Sequence, residues 1–332
     1  MGSSTTPLPV GLIGLGKHGV RYLSHIQKDV PGLRVVALSR RDVSLGRRQA
    51  EELGVRFHAG VEELVGDPDV RGVISVVPPT LNVAIVEACA SLGRPLLIEK
   101  PFAIDARSAF RLRARLEEAS VPCLVAQTLR YSSVVSMVRE WLADLGRVSQ
   151  ILLTQSFEPS RLDWLDDPAR SGGGNVLHTG VHMFDLLRFL SGAEASEAAC
   201  FVEKVVTKGT EDSFSATFRL DGASGPILGS AAGSRATQSR AGQIRIVAER
   251  GQILADHRHR TVALIDGHGT AREARPDDVP TVRAALEEFV RVADGAKPSI
   301  TAGDGAAAVA IADACYRSAE SGGLVRVPRE ED

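Results

Sequence analysis

The sequence predicts an α/β protein, with a doubly wound parallel sheet at the N-terminus and then an α+β domain on a large, open, mostly antiparallel sheet. Three observations predict it. Up to about residue 125, short apolar strands alternate with helical stretches, the pattern of a parallel sheet covered on both faces. From Ala198 to Ile265 apolar residues recur at every second position, broken by turn signals, which marks antiparallel strands with one buried face. Between these regions the periodicity changes near Gln127 to Ser133, so the chain divides into residues 1–128 and 129–332. The closing helices of the second part can still pack back on the first. A chain of 332 residues, 44% hydrophobic and 24% charged, has ample material for two cores.

Taken in order, Val10 to Ile13 is the first strand, and it runs into Gly14-Leu15-Gly16-Lys17-His18-Gly19. A helix follows, with Val20, Leu23 and Ile26 on one face. Gly-x-Gly-x-x-Gly between a strand and a helix is the dinucleotide fingerprint of a Rossmann domain. Gly14 makes the tight turn, Gly16 admits a pyrophosphate to the backbone amides, and Gly19 lets the helix close on the strand. The anion then sits on a helix N-terminus, where unpaired N–H groups favour it. Leu33 to Leu38 is the second strand. In this fold its end usually carries an acidic residue for the adenosine ribose, but here it reads Ser39-Arg40-Arg41.

The alternation continues through a helix from Leu45 to Leu53, a short strand at Val55 to Phe57 and a helical turn at Val61 to Val65. Val70 to Val77 is a buried strand ending at Pro78-Pro79-Thr80, and Leu81 to Leu92 an apolar helix. Pro95 to Ile98, Ile104 to Ala119 and Val121 to Val125 complete the set as strand, helix and strand. Ligands bind such sheets at the carboxyl ends of the strands. Val77, Pro78, Asn82, Glu99, Lys100 and Gln127 all fall at or just beyond those ends. In the second part, Val134 to Leu142 is a helix and Val148 to Phe157 a long strand. Gly172-Gly173-Gly174 then opens a helix to Leu190 in which His178, His182 and Asp185 stand at i, i+4 and i+7, hence on one face. Taken alone, that stretch reads best as two histidines bonded at an interface. Val282 to Ala293 and Asp304 to Ser321 are closing helices, and Leu324 to Val327 a last strand.

Composition excludes several classes. A net charge of −2 gives no basic field for nucleic acid or an acidic membrane surface. No apolar run is long enough to span a bilayer. The lead Met1 to Pro7 is polar and lacks the charged and apolar regions of a signal peptide. The cysteines Cys89, Cys123, Cys200 and Cys315 are isolated, as expected of free thiols in a reducing compartment, so a cytoplasmic protein is expected. The i, i+4 histidines invite a zinc reading. The hydrolase motif, however, needs glutamate after the first histidine where this chain has Thr179, and no third ligand is in view, so no metal is expected.

Several motifs together resemble one family. Gly14-Leu15-Gly16-Lys17-His18-Gly19, Val76-Val77-Pro78-Pro79-Thr80, Glu99-Lys100-Pro101-Phe102, the glycine triplet with Gly180 to Asp185, and Thr210-Glu211-Asp212-Ser213 occur in its order. The chain resembles the glucose–fructose oxidoreductase and myo-inositol dehydrogenase family (Gfo/Idh/MocA) from about Val10 to its C-terminus. The resemblance implies an NAD(P)-dependent dehydrogenase of a sugar, cyclic polyol or related small molecule. It also implies assembly as a homodimer or homotetramer through the open sheet, and a catalytic pair of Lys100 and His182. The residues agree. A fixed ammonium at a strand's carboxyl end can orient a substrate oxygen and offset alkoxide charge, while an imidazole takes the hydroxyl proton.

Where many members carry aspartate, one turn before the histidine, this chain has His178, read here as a substrate contact or proton relay. Asn82 stands where histidine is common, and Gln127 near a usual asparagine or histidine site. Arg130, Arg161 and Trp164, with His178 and His182, are the expected substrate contacts. Ser39, Arg40 and Arg41 replace the ribose-binding carboxylate with phosphate-binding groups, so NADP is preferred and NAD remains an alternative. Two other readings stand beside this one: a cofactor-binding sugar sensor without turnover, and redox-assisted glycoside cleavage.

Overall fold

The computed structural model describes residues 6–330; the polar lead falls, as far as residue 5, outside the described residues. The chain forms two compact units.

The first unit holds residues 1–103, 108–128 and 280–306. Its strands are β1 (Leu8–Ile13), β2 (Leu33–Ser39), β3 (Arg56–Phe57), β4 (Gly72–Ser75), β5 (Leu96–Ile98) and β6 (Cys123–Val125). They form one parallel sheet in the order β3-β2-β1-β4-β5-β6. The connecting helices are α1 (Lys17–Lys28), α2 (Val43–Leu53), α3 (Val61–Gly66), α4 (Asn82–Leu92) and α5 (Ala106–Glu118). Val10, Leu12, Val73, Ile74, Leu97 and Leu124 are fully buried, as a sheet covered on both faces requires. β4 stops at Ser75, two residues earlier than the apolar run suggests. Pro78 cannot extend a ladder, so the chain turns through a 3-10 helix, Pro79–Leu81, into α4.

The second unit holds residues 104–107, 129–279 and 307–332. It contains α6 (Ser133–Leu142), β7 (Val148–Ser156), the short α7 (Pro168–Ser171), a π turn at Val176–Gly180 and α8 (Val181–Ser191). Then come β8 (Glu194–Glu203), β9 (Ser213–Gly222), β10 (Gly225–Ser234), β11 (Ala241–Ala248), β12 (Gly251–Asp256), β13 (Thr261–Asp266) and β14 (Gly269–Ala274). The chain closes with α9 (Thr281–Ala293), α10 (Ala302–Ser321) and β15 (Val325–Arg326). The nine-stranded sheet runs β14-β13-β12-β11-β7-β10-β9-β8-β15, antiparallel except between β7 and β10. Its inner face carries Ile151, Leu153, Phe214, Phe218, Leu220, Ile244 and Ile246. α8 covers that face, setting the Phe184 ring edge-on to Phe214 and Phe218 at 6.0 and 5.5 Å.

α9, although late in the chain, belongs to the first unit. It packs on α1, and Val290 comes close enough to Gly32 that a β-carbon there would meet it at 3.1 Å.

Candidate active site

Register builds the first half of the site. Gly14 N donates to Ser39 O, Val76 N to Ile13 O, Glu99 N to Ser75 O and Ala126 N to Ile98 O, all at 2.8–2.9 Å. These ladder ends bring the glycine turn, Arg40, Val77, Pro78, Lys100 and Gln127 to one edge of the sheet. At the turn, Gly14 has φ +92°, and a β-carbon on it would lie 2.3 Å from Val76 O, so only glycine fits. Gly16 is different: a β-carbon there would meet nothing within 4 Å. The protein itself does not require glycine at Gly16, and the space beside it is open. Gly16 is also the N-cap of α1, with no side chain capping the helix. An uncapped helix start behind an open glycine fits a pyrophosphate.

Arg40 lies against this turn. Its Nη1 donates to Leu15 O at 3.2 Å and to Gln49 Oε1 at 2.5 Å, while its Nε and Nη2 have no partner among the described residues. Asp42, the nearest carboxylate in sequence, caps α2 by accepting from Leu45 N. Ser39 is buried and Arg41 exposed.

The Glu99 carboxylate holds the lysine loop. It accepts from His18 Nε2 at 2.7 Å, Tyr22 Oη at 2.6 Å and the Lys100 amide at 3.0 Å. Burial pushes its pKa up, but the bond to and charge of His18, the charge of Lys100 and the Tyr22 hydroxyl hold the carboxyl below its ordinary value. One ionised group therefore ties the glycine turn, through His18, to Lys100. Asn82, buried at the start of α4, donates to Pro101 O and Phe102 O at 3.2 and 3.0 Å, clamping the far side of the same loop. The Lys100–Pro101 peptide is cis, and the Lys100 side chain is half-buried. Gln127 is buried just past β6.

The second unit arranges the histidines otherwise than α-helical spacing predicts. Val176–Gly180 is a π turn, closing i→i+5, and α8 begins only at Val181. The four-residue spacing of His178 and His182 therefore no longer places them one above the other on a common α-helical face. The cause lies in Glu211. Its carboxylate accepts from Gly174 N at 3.1 Å, Val176 N at 2.9 Å and Tyr316 Oη at 2.9 Å, and its carbonyl accepts from Asn175 N. Gly174 is needed for that approach, since a β-carbon would sit 2.0 Å from Glu211 O. Burial raises the Glu211 pKa, partly offset by these bonds.

His178 is buried. Its Nε2 lies 3.0 Å from Ser171 O, and a carbonyl only accepts, so Nε2 carries the hydrogen. Trp164, on the 3-10 turn Asp163–Asp166, stands edge-on to it at 5.4 Å. His182 is half-buried on the first turn of α8, and Arg161 is exposed.

Asp185 and Arg130 do not join the polar stripe. Arg130 donates from Nε and Nη2 to both Asp185 oxygens, at 2.8 and 2.5 Å, and its guanidinium lies over Phe189 at 4.7 Å. Asp185 is 1% exposed. This bidentate pair anchors α8.

Sequence reasoning missed the loops around His178. Asp166 accepts from the amides of Lys208, Gly209 and Thr210. Asp212 accepts from those of Val205, Val206 and Thr207. Despite partial burial, the three amides and the Ser213 hydroxyl bring the Asp212 pKa down to about 2. The Thr210-Glu211-Asp212 motif thus builds loops, and beside them lie Asn175 and Arg235. Among the described residues no three His, Cys, Asp or Glu side chains are grouped to hold a metal ion, and no helix is long and apolar enough to cross a membrane.

A parallel sheet with a phosphate-binding glycine turn, a lysine fixed at its carboxyl edge, and a second unit presenting two histidines define a class: two-domain oxidoreductases working with a nicotinamide dinucleotide. Residues 8–127 match the model of an oxidoreductase family with an NAD-binding Rossmann fold, and residues 136–254 that of the GFO/IDH/MocA C-terminal domain. The chain belongs to the Gfo/Idh/MocA oxidoreductase family. Inositol 2-dehydrogenase 1 of Saccharopolyspora erythraea is 30% identical over 335 residues, 96% of each chain. The 1-carboxy-3-chloro-3,4-dihydroxycyclohexa-1,5-diene dehydrogenase of Comamonas testosteroni is 25% identical over 220 residues, 64% of this chain and 55% of that one. Levoglucosan dehydrogenase, solved with NADH and levoglucosan, shares the fold with a TM-score of 0.85 at 20% identity, covering 97% of this chain and 100% of that one.

Proposed function

We propose that this oxidoreductase dehydrogenates a secondary hydroxyl of a cyclic polyol or sugar, with NADP preferred over NAD. One observation carries the reading: strand register brings the open Gly16 turn, Arg40 and the Glu99-clamped Lys100 loop to a single sheet edge. The named substrates of the relatives, inositol and a carboxylated cyclic diol, support the class.

The dinucleotide would be held by the amides of Leu15 to His18 at the start of α1, by Arg40 with Ser39 and Arg41, and by Val77 and Pro78. When bound, its nicotinamide ring supplies the hydride acceptor. Lys100 donates to the reacting hydroxyl and offsets the negative charge that grows there as the proton leaves. His182 accepts that proton. His178, its Nε2–H held by Ser171 O, stands beside the place of a neighbouring substrate hydroxyl. Trp164 backs the His178 ring, and Arg161 lies on the rim. Arg40's Nε and Nη2 donors suit a 2′-phosphate and offer nothing a pair of ribose hydroxyls specifically needs.

The outer face of the nine-stranded sheet carries Phe201, Leu228 and Leu254, 77, 58 and 39% exposed, and we assign it to self-association as a dimer or tetramer. The four cysteines are buried free thiols, which supports a reducing, cytoplasmic setting.

The test is hydride transfer to NADP and NAD over a panel of polyols and sugars. Lys100→Met and His182→Ala should each retain cofactor binding and lose at least a hundredfold in kcat. Near-normal turnover in both would remove the mechanism. Cofactor and ligand binding by the wild type without turnover of any panel member would make the protein a sensor.

A further inference from the structure

The second unit contains a small cavity of about 50 Å³ beside His178, lined among others by Asn175, Thr207, Thr210, Asp212 and Arg235. Two of its groups are unsatisfied. Asn175 is 2% exposed, and neither its Oδ1 nor its Nδ2 has a partner among the described residues. Burying an amide without partners costs about 1–3 kcal/mol, so an acceptor that meets Nδ2 recovers part of that cost, and a hydroxyl donor on the same ligand would meet Oδ1. The half-buried Arg235 makes one side-chain hydrogen bond, Nε to Thr179 Oγ1 at 3.3 Å, and leans over the Phe157 ring at 5.8 Å. Its Nη1 and Nη2 have no partner among the described residues. Among the described residues no carboxylate pairs with it. Glu158, the nearby candidate, is taken by Arg240 at 2.7 and 3.0 Å.

The carboxylates that line the cavity do not supply the missing acceptor. Asp166 and Asp212 each face three backbone amides, and Glu211 faces two amides and the Tyr316 hydroxyl. Their lone pairs point into the loops that they hold together. On the other side, Arg240 and Arg258 both act on Glu158 electrostatically, and Arg240 also acts on Arg235, so three arginines stand with one carboxylate there, across from the three loop-held carboxylates of the lining. Burial, and then Arg240, lowers the Arg235 pKa, while Glu158 offsets this only in part, as befits a cation whose counter-charge is missing.

Resting on the dehydrogenase reading above, we infer that the substrate is a polyol bearing a carboxylate, a sugar acid or carboxylated cyclitol, and that Arg235 with Asn175 binds the acid group. The fork of Nη1 and Nη2 matches the two oxygens of a planar carboxylate, and the Asn175 Nδ2 adds a donor. One water needs about 10–15 Å³ of such space, so the cavity takes roughly three to five water-sized groups, enough for a carboxyl group but not for a sugar ring. The ring then lies outside the cavity, with His178 at its wall. Arg235 thereby becomes the residue that separates acidic from neutral substrates.

The experiment compares matched substrates on the intact enzyme with both cofactors: D-galacturonate against D-galactose, D-gluconate against D-glucitol, and glucose 6-phosphate as a second anion. The wild type should favour the acid of each pair by at least tenfold in kcat/KM. Arg235→Gln should erase that preference mainly through KM, and Arg235→Lys, which keeps the charge but not the fork, should restore part of it. A wild type that prefers the neutral partners overturns the inference and leaves the dehydrogenase reading intact. So does a loss in Arg235→Gln that falls equally on acid and neutral. Preference for glucose 6-phosphate over both acids overturns the choice of carboxylate. Calorimetric titration of the cofactor-loaded enzyme with the same compounds separates binding from turnover. Acids that bind tenfold more weakly to Arg235→Gln, without turnover in the wild type, would sink the dehydrogenase reading and sustain the acid site. No binding of any acid overturns the inference outright.

Discussion

At the scale of single residues, two side chains decide measurable properties. Arg40 follows the second strand, and the structure pins its Nη1 to the glycine turn through Leu15 O. A charge-assisted hydrogen bond to phosphate contributes about 1.5–3 kcal/mol, so NADP should bind roughly tenfold to a hundredfold more tightly than NAD. Arg40→Asp should invert the order in a fluorescence titration. Equal affinities in the wild type would refute the assignment.

His257 reports on acid stability. Gln155 donates to its Nε2 at 3.2 Å. Burial, opposed by Asp256 and helped by Arg258, pushes its pKa down from 6.5 to about 4. A base with a lowered folded pKa binds fewer protons folded than unfolded, so its neutral form stabilises the fold at neutral pH. That contribution declines as pH falls below about 6.5 and is gone below about 4. It amounts to at most about 3 kcal/mol at 1.36 kcal/mol per pKa unit. The melting temperature should therefore fall across this window, and His257→Gln should flatten the fall. Parallel profiles for the two proteins would discard the mechanism.

Elements show which parts of the chain sequence logic could reach. The β1–α1 turn was legible because its demands are local: a positive φ at Gly14, an open approach at Gly16, and an adjacent strand and helix. The same turn gives a sharp test. Gly14→Ala should misfold or melt far below the wild type, because its β-carbon would collide with Val76 O. Gly16→Ala should melt within about 1 °C of the wild type and still lose tenfold or more in dinucleotide affinity. Unchanged affinity in Gly16→Ala would mean that no phosphate passes there. The strands β8 to β13 were legible from period two alone.

The π turn was not legible, because its cause is remote. Glu211, 37 residues beyond Gly174, and Tyr316, 142 residues beyond it, set the amides from Gly174 to Val176. An α-helical spacing rule has no knowledge of either. The pairing of Arg130 was hidden for the same reason, its partner Asp185 lying 55 residues on. Arg235 follows a strand of small residues, Gly-Ser-Ala-Ala-Gly-Ser, and nothing nearby distinguishes it from an exposed arginine. Only the fold shows which carboxylates are already spoken for.

At the scale of the whole molecule, the open sheet is the surface to which self-association is assigned. Its inner face is covered by α6 and α8. Its outer face keeps Phe201, Leu228 and Leu254 in water, with a shallow groove of about 730 Å³ running across β11 to β14. A flat β face with that much apolar surface is stable in solution when a second copy covers it. Light scattering at micromolar concentration should give a dimer or tetramer, and Leu228→Asp should shift it toward monomer. A wild-type monomer would contradict the assignment.

The return of residues 280–306 to the first unit bears on how the protein is made. A ribosome delivers the six strands of the parallel sheet first, yet the strip that receives Val290 at Gly32 and Phe289 at Gly72 stays bare until α9 emerges. About 150 residues separate the two, and at roughly 5–20 residues per second the wait is on the order of 8–30 seconds. During that interval the nascent N-terminal half displays an apolar strip to solvent. The segment between the two portions must meanwhile fold as an insertion whose far end is still untethered. Completion of the first unit is thus coupled to synthesis of the second. A chain that stalls in the middle would leave behind a dinucleotide fold missing one of its walls.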